Sequence, residues 1–297
     1  MKKLLAITFL LISNLGFGQL KAVIVDSETK GKIPYVNIWV ENEDIGTTSD
    51  EKGAFELKID SSKIILFSAI GFETKRINSD SIKNMLELKP IVTELDEVII
   101  KSKKLTQELI IGKFKKSKIN SSLSSRTKHW SFARFFDYNK DYDKTPFLKK
   151  INILTNSDVK DSKFIVRLYS VNENGVPGSY IYDKNIIGIA KKGKKITEID
   201  VSKLNIEFPE NGFFIAIEWL IIENNKYEFK YTIEGSRKKF EGISYEPAIG
   251  TIPAETAENS WVFSQGKWRE IWKNSEFHLK RYKDKYNLLA IELTLTN

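Results

Sequence analysis

Phe55, Leu57 and Ile59 alternate with Glu56, Lys58 and Asp60, the period of a strand with one face in a core and the other in water. Val36, Ile38 and Val40 repeat that period opposite Tyr35, Asn37 and Trp39, with Pro34 at the strand start, where a missing donor is tolerated. Ile64 to Ser68 is a more continuous apolar run. Between them, Asp50-Glu51-Lys52-Gly53 carries turn chemistry: an Asp that can bond its own backbone and a Gly free to take positive φ. The pattern predicts a hairpin at this turn. Short strands separated by Gly, Asn and Asp turns predict an antiparallel sandwich.

From about His129 the pattern is again strand after strand, with turns at Asn172-Glu173-Asn174-Gly175, Pro177-Gly178, Lys191-Lys192-Gly193-Lys194, Pro209-Glu210-Asn211-Gly212 and Gln265-Gly266. Val166, Leu168 and Ser170 share one face of a strand, and Arg167, Tyr169 and Val171 the other. Phe213 to Ile222 is almost wholly apolar, which predicts a central strand covered on both sides, with Glu218 the exception. Ile291, Leu293 and Leu295 face away from Ala290, Glu292 and Thr294. A jelly-roll-like sandwich of eight or more strands is the architecture these runs predict.

The two β regions are joined differently. Over Lys103 to Ile119, Leu105, Leu109, Ile110 and Phe114 fall at helix-like spacing among Lys113, Lys115, Lys116 and Lys118, which predicts a short basic helix weakened by Gly112. Residues 101–128 hold nine Lys and Arg against one Glu, so this linker accounts for the formal net charge of +8. Contact with an anionic membrane surface through Lys113, Lys115, Lys116 and Lys118 is one expectation for it, and packing on an acidic sandwich is the plainer one.

Residues 1–18 read as an export signal: Lys2 and Lys3, an apolar run from Leu4 to Leu15 too short to span a bilayer, then Gly16-Phe17-Gly18 before Gln19. The chain has no Cys, which excludes disulfides and a lipoprotein anchor. The expected location is therefore the periplasm or cell surface. The predicted organisation is a signal peptide at 1–18, a sandwich at 19–92, a partly helical basic linker at 93–128 and a second sandwich at 129–297.

Residues 20 to 88 resemble a known family. Asp26-Ser27-Glu28-Thr29, Ile33-Pro34-Tyr35-Val36-Asn37-Ile38, the Gly46 to Leu57 run and Phe67-Ser68-Ala69-Ile70-Gly71-Phe72 look like the carboxypeptidase regulatory-like domain, although Ala22 stands where that family usually has Gly. The resemblance implies a transthyretin/Ig-like sandwich of seven strands, found in secreted proteins of the Bacteroidota and ahead of other modules. Thr93 to Ile100 likewise resembles the segment that joins such a sandwich to the plug of TonB-dependent receptors, but no barrel follows. The second region weakly resembles uncharacterised companions of the same module. The fold class is all-β.

Catalytic chemistry finds few residues to use. His129 and His278 are the only histidines and neither lies in a zinc-peptidase motif; there is no G-x-S-x-G elbow and no Cys nucleophile. No catalytic residue, metal ligand or cofactor is assigned, and nucleic acid is not an expected partner. Asp137-Tyr138-Asn139-Lys140-Asp141-Tyr142-Asp143 starts like a calcium loop, but Tyr142 and Leu148 stand where that loop needs Gly and Glu. Trp261, Trp268 and Trp272 flank the Gln265-Gly266 turn and offer aromatic faces for a sugar, with core packing as the plainer reading. Arg167, Tyr169, Glu218, Trp268, Trp272 and Glu292 are the candidate ligand-binding residues, for a glycan or a protein partner. Glu218 and Glu292 are also the carboxylates that a glycan-active enzyme would need. A non-enzymatic exported binding protein is the favoured expectation.

Overall fold

The structure is a computed structural model that describes residues 18–91, 107–126, 130–233, 235–236, 238–257, 259–274 and 280–297. Residues 1–17 of the expected export signal, the linker stretch 92–106, His129 and His278 lie outside the described residues. The chain divides into two units, Met1–Ile91 and Val92–Asn297. No described helix is long and apolar enough to cross a membrane.

The first unit has seven described strands: β1 Gly18–Asp26, β2 Asn37–Val40, β3 Gly46–Thr48, β4 Ala54–Ile59, β5 Ile64–Ser68, β6 Lys75–Asn78 and β7 Met85–Leu88. They form a three-stranded sheet, β4-β1-β7, and a four-stranded sheet, β3-β2-β5-β6. The alternation read from the sequence sets the core: Phe55, Leu57 and Ile59 are buried against Val36, Ile38, Val40, Ile65 and Phe67.

The turn at Asp50 forms as its residues predict, but it does not make a hairpin. Asp50 Oδ1 accepts from the backbone N–H of Lys52 and of Ala54, both at 2.8 Å. Gly53 takes φ 71°, where a Cβ would come within 2.7 Å of the Ile24 carbonyl oxygen. The strands on either side belong to different sheets. The buried Ser49 hydroxyl turns the corner, accepting from Val36 N at 2.8 Å and donating to the Ile33 carbonyl at 3.1 Å.

The second unit has fifteen described strands: β8 Glu108–Ile111, β9 Ser121–Ser125, β10 Ser131–Phe136, β11 Phe147–Ser157, β12 Ser162–Val171, β13 Pro177–Tyr180, β14 Ile186–Ala190, β15 Gly193–Asp200, β16 Phe213–Trp219, β17 Lys226–Thr232, β18 Lys239–Ala254, β19 Ser260–Ser264, β20 Lys267–Glu270, β21 Tyr286–Leu289 and β22 Ile291–Thr296. A seven-stranded sheet runs β13-β12-β16-β10-β19-β20, with β14 also on β12. An eight-stranded sheet runs β17-β18-β11-β22-β8, with β15 on β11 and β21 and β9 on β18. One core lies between them, built from Val166 and Leu168 of β12, Phe213, Ile215, Ile217 and Trp219 of β16, and Ile291, Leu293 and Leu295 of β22. The fully buried β16 is the central strand that its apolar run predicts. Arg134 on β10 also points inward, where its Nη1 donates to the carbonyls of Leu289 and Ile291 at 3.0 and 2.7 Å, and burial lowers its pKa to about 10.

Over the described residues 107–119, the structure corrects the basic helix expected over Lys103 to Ile119. Glu108–Ile111 is a strand paired with β22, Leu109 facing Leu295 and Ile111 facing Leu293 across the ladder. Leu109 and Ile111 pack on the core while Ile110 is exposed, so period two prevails over the helical spacing. Gly112 then ends the strand at φ 69°, and only Lys116–Lys118 makes a single 3-10 turn.

Candidate functional site on the seven-stranded sheet

Strand parity and register decide which residues share the outer face of the seven-stranded sheet. Arg167 pairs with Ala216 and Tyr169 with Phe214, while Ala133 lies between Ala216 and Trp261. Trp268 pairs with Phe263 on the edge hairpin. Because Ile217 and Trp219 point into the core, Glu218 points outward with Arg167 and Tyr169. Small side chains at Ala133 and Ala216 leave room for the large rings around them.

Arg167 and Glu218 form a buried ion pair. Arg167 Nε donates to Glu218 Oε2 at 3.0 Å, its Nη1 donates to Asn185 Oδ1 at 2.6 Å, and the Tyr169 hydroxyl donates to Glu218 Oε1 at 3.4 Å. Burial works against the guanidinium charge, but the Glu218 carboxylate outweighs it and raises the Arg167 pKa. Burial, with the Glu218 charge behind it, pushes the Tyr169 phenol well above its ordinary value, and the same two causes raise Tyr180. The Tyr169 ring meets Tyr180 at 4.8 Å between centroids and Trp268, edge on, at 5.4 Å. These polar atoms are held by one another, so the group stiffens the face.

Open space lies further along the same face, four residues from Arg167 on β12 and four from Glu218 on β16, roughly 13 Å at the rise of a strand. A cavity of about 340 Å³ is lined by Phe135, Asp137, Val171, Gly175, Phe214 and Asn259. Its walls come from the ends of β10, β12 and β16, the Asn172 to Gly175 turn and the loop before β19. The turn is set by Asn172 Oδ1, which accepts from Asn174 N and Val176 N, with Gly175 at φ 73°. The loop is set by Phe135 N donating to the Asn259 carbonyl at 3.0 Å. Asp137 and Asn259 are exposed, and their side chains make no hydrogen bond among the described residues.

The sequence candidates thus separate. Arg167, Tyr169, Glu218 and Trp268 come together on one sheet face. Glu292 does not join them: on β22 it points away from the core on the eight-stranded sheet, where Asn152 Nδ2 donates to its Oε1 at 3.2 Å. The whole sandwich stands between the two glutamates, a sheet separation of about 10 Å before side chains are added. Trp272 also lies elsewhere, 55% exposed with its ring edge on the core residue Phe132 at 6.4 Å between centroids. The calcium-like run folds as a 3-10 turn over Lys140–Lys144, capped by Asn139 accepting from Asp141 N at 2.9 Å, with Tyr138 donating to Asp143. No group of described His, Asp and Glu residues is placed to hold a metal ion. Phe135, Asp137, Val171, Gly175, Phe214 and Asn259 are lining residues that strand-by-strand reading did not single out as a set, although Asp137 opens the oxygen-rich run and Gly175 closes a recognised turn.

Residues 20–100 match the CarboxypepD_reg-like domain, which makes the first unit a β-sandwich module of that family. None of the curated proteins matches the chain. Among solved structures, the cysteine protease and lectin-like domains of Cwp84, a surface layer associated protein of Clostridium difficile, share 16% identity at a TM-score of 0.36, over 58% of this chain and 33% of that one. The clostridial cysteine protease Cwp84 after propeptide cleavage shares 14% identity at a TM-score of 0.38, over 93% of this chain and 70% of that one. The protein of the T=1 particles derived from infectious bursal virus shares 7% identity at a TM-score of 0.26, over 94% of this chain and 57% of that one. This chain spans a third of the first of these, and likeness at this level carries no argument about activity.

Proposed function

We propose that this chain is an exported, non-enzymatic binding protein of the periplasm or cell surface that holds a glycan on the outer face of its second sandwich. The observation that carries this reading is the cavity of about 340 Å³ at the end of that face, lined by Phe135, Asp137, Val171, Gly175, Phe214 and Asn259. The half-buried Phe135 ring supplies an apolar wall for the C–H face of a sugar, over the buried Phe214, and the Asp137 carboxylate and Asn259 amide supply the unengaged acceptors and donors that hydroxyl groups need. The network of Arg167, Glu218, Asn185 and Tyr169 ties β12 to β16 further along the same face, and a stiff sheet lowers the ordering cost of binding. The export pattern at residues 1–18 supports the location. The opposite outer faces of Glu218 and Glu292 support binding without turnover, because hydrolysis needs two carboxylates across one bond.

The test is a glycan array on the mature chain with reducing-sugar release measured on every glycan retained. Retention without release is expected. Release that disappears in Glu218→Gln would replace the binding protein by a hydrolase.

A further inference from the structure

The loop from Gly112 to Asn120 is anchored by two apolar side chains. Phe114 and Ile119 pack on Leu154, Ala290 and Ile252 on the outer side of the eight-stranded sheet. That anchorage leaves Lys113, Lys115, Lys116 and Lys118 exposed. Two more cations close on the loop backbone from elsewhere in the chain: Lys194 Nζ donates to the Ile119 carbonyl and Arg281 Nη1 to the Lys118 carbonyl. Six positive groups therefore share one supported surface. Among the described residues none of the six is in an ion pair.

The neighbouring acids do not neutralise it. On β15 the outward side chains after Lys194 are Ile196, Glu198 and Asp200; Glu198 pairs with Lys150 at 3.0 Å, and Asp200 accepts from the backbone N–H of Ser202 at 2.9 Å. Leaving six like charges together costs self-repulsion, which a counter-surface of opposite sign would relieve. Ile196 adds the second half of the argument. It is 50% exposed, two positions from Lys194 on the same strand face and opposite Leu154 in the ladder. An apolar side chain beside a cluster of cations fits a surface that offers phosphates and, just beneath them, hydrocarbon. A soluble polyanion would have no use for it.

We infer that the Lys113–Lys118 loop, with Lys194, Arg281 and Ile196, docks the second unit on an anionic phospholipid surface. This is separate from the glycan cavity on the other sheet and stands or falls independently of it. The attraction acts over roughly a Debye length, ~10 Å at 0.1 M salt, so binding weakens as salt rises.

The experiment is co-sedimentation of the mature chain with vesicles of phosphatidylcholine alone and of phosphatidylcholine mixed with phosphatidylglycerol. The expected result is binding to the mixed vesicles at low salt and none to phosphatidylcholine. The combined Lys115→Glu, Lys116→Glu and Lys118→Glu variant should weaken it by at least roughly 100-fold, about fivefold for each lysine. All three residues are exposed, and an unchanged melting temperature confirms that the fold survives. Ile196→Ser should weaken binding several-fold while leaving its salt dependence intact. Asp137→Ala should bind vesicles like the parent. No sedimentation at low salt, equal binding to phosphatidylcholine, an unaffected triple variant, or loss of binding to inorganic phosphate at matched ionic strength would each overturn the inference.

Discussion

Arg167 Nε donates to Glu218 Oε2 at 3.0 Å across adjacent strands, with the two side chains only 2% and 3% exposed. A buried pair of this kind punishes the loss of one partner far more than the loss of both, because the survivor keeps its desolvated charge. Glu218→Ala should lower the unfolding free energy by ~3–5 kcal/mol. The double variant Arg167→Met, Glu218→Leu should recover most of that loss. Urea unfolding of the three proteins decides it, and equal losses in single and double variants would show that the pair is not the unit of stability.

Phe164 on β12 lies directly against Gly188 on β14, its partner in the ladder. A Cβ at position 188 would stand 2.2 Å from Phe164 Cζ, and that ring is fully buried in the main core. Gly188→Ala should cost about 1–3 kcal/mol by overpacking, and Phe164→Leu in the same chain should restore part of it. Thermal melts of the single and double variants measure both effects.

In the first unit, the Ser49 hydroxyl holds Val36 N and the Ile33 carbonyl where the chain passes from one sheet to the other. Ser49→Ala leaves a buried N–H without its acceptor, at a cost of ~1–3 kcal/mol. Hydrogen exchange at the Val36 amide should accelerate correspondingly, while amides of β16 in the second unit stay protected.

Glu246 supplies a pH dependence. Burial raises its pKa from 4.5, opposed by the Ser244 hydroxyl at 2.9 Å and Ala248 N at 3.2 Å, and Asp158 adds repulsion. The folded state therefore holds the proton more tightly than the unfolded chain. Stability from this group is complete below the ordinary carboxylate value and is lost as pH rises through the raised one. Glu246→Gln should remove that loss, so its stability relative to the parent grows as pH rises from the ordinary carboxylate range through the raised value. Urea midpoints across that range test the sign; a constant difference would contradict it.

The sequence made the strands and their buried faces legible where period two is local: Phe55, Leu57 and Ile59 in the first unit, and Val166 and Leu168 in the second, are core as their alternation requires. It did not show which sheet a strand joins. The Asp50 turn has the same local chemistry whether the chain reverses or crosses, and the crossing depends on Ser49 reaching Val36 and Ile33. Over residues 108–111 the helix-like spacing competed with a ladder to β22, and that ladder joins Ile111 to Leu293, a separation no local window spans. Arg167, Tyr169 and Glu218 could be gathered by parity once β12 and β16 are neighbours. Glu292 could not be excluded that way, because its parity is right and only its sheet is wrong. Asp137 and Asn259 line one cavity because β10 sits between β16 and β19, a fact of topology alone.

The central claim is a glycan site at the cavity lined by Phe135, Asp137 and Asn259, and its most direct measurement is a glycan array comparing residues 19–297 with the Asp137→Ala, Asn259→Ala double variant of the same residues. Both residues are exposed, so the variant keeps the fold. The account predicts that the parent retains neutral glycans and that the variant loses them by tenfold or more, about 1.4 kcal/mol in binding. Retention of the same glycans by both proteins, or of none by the parent, would contradict it.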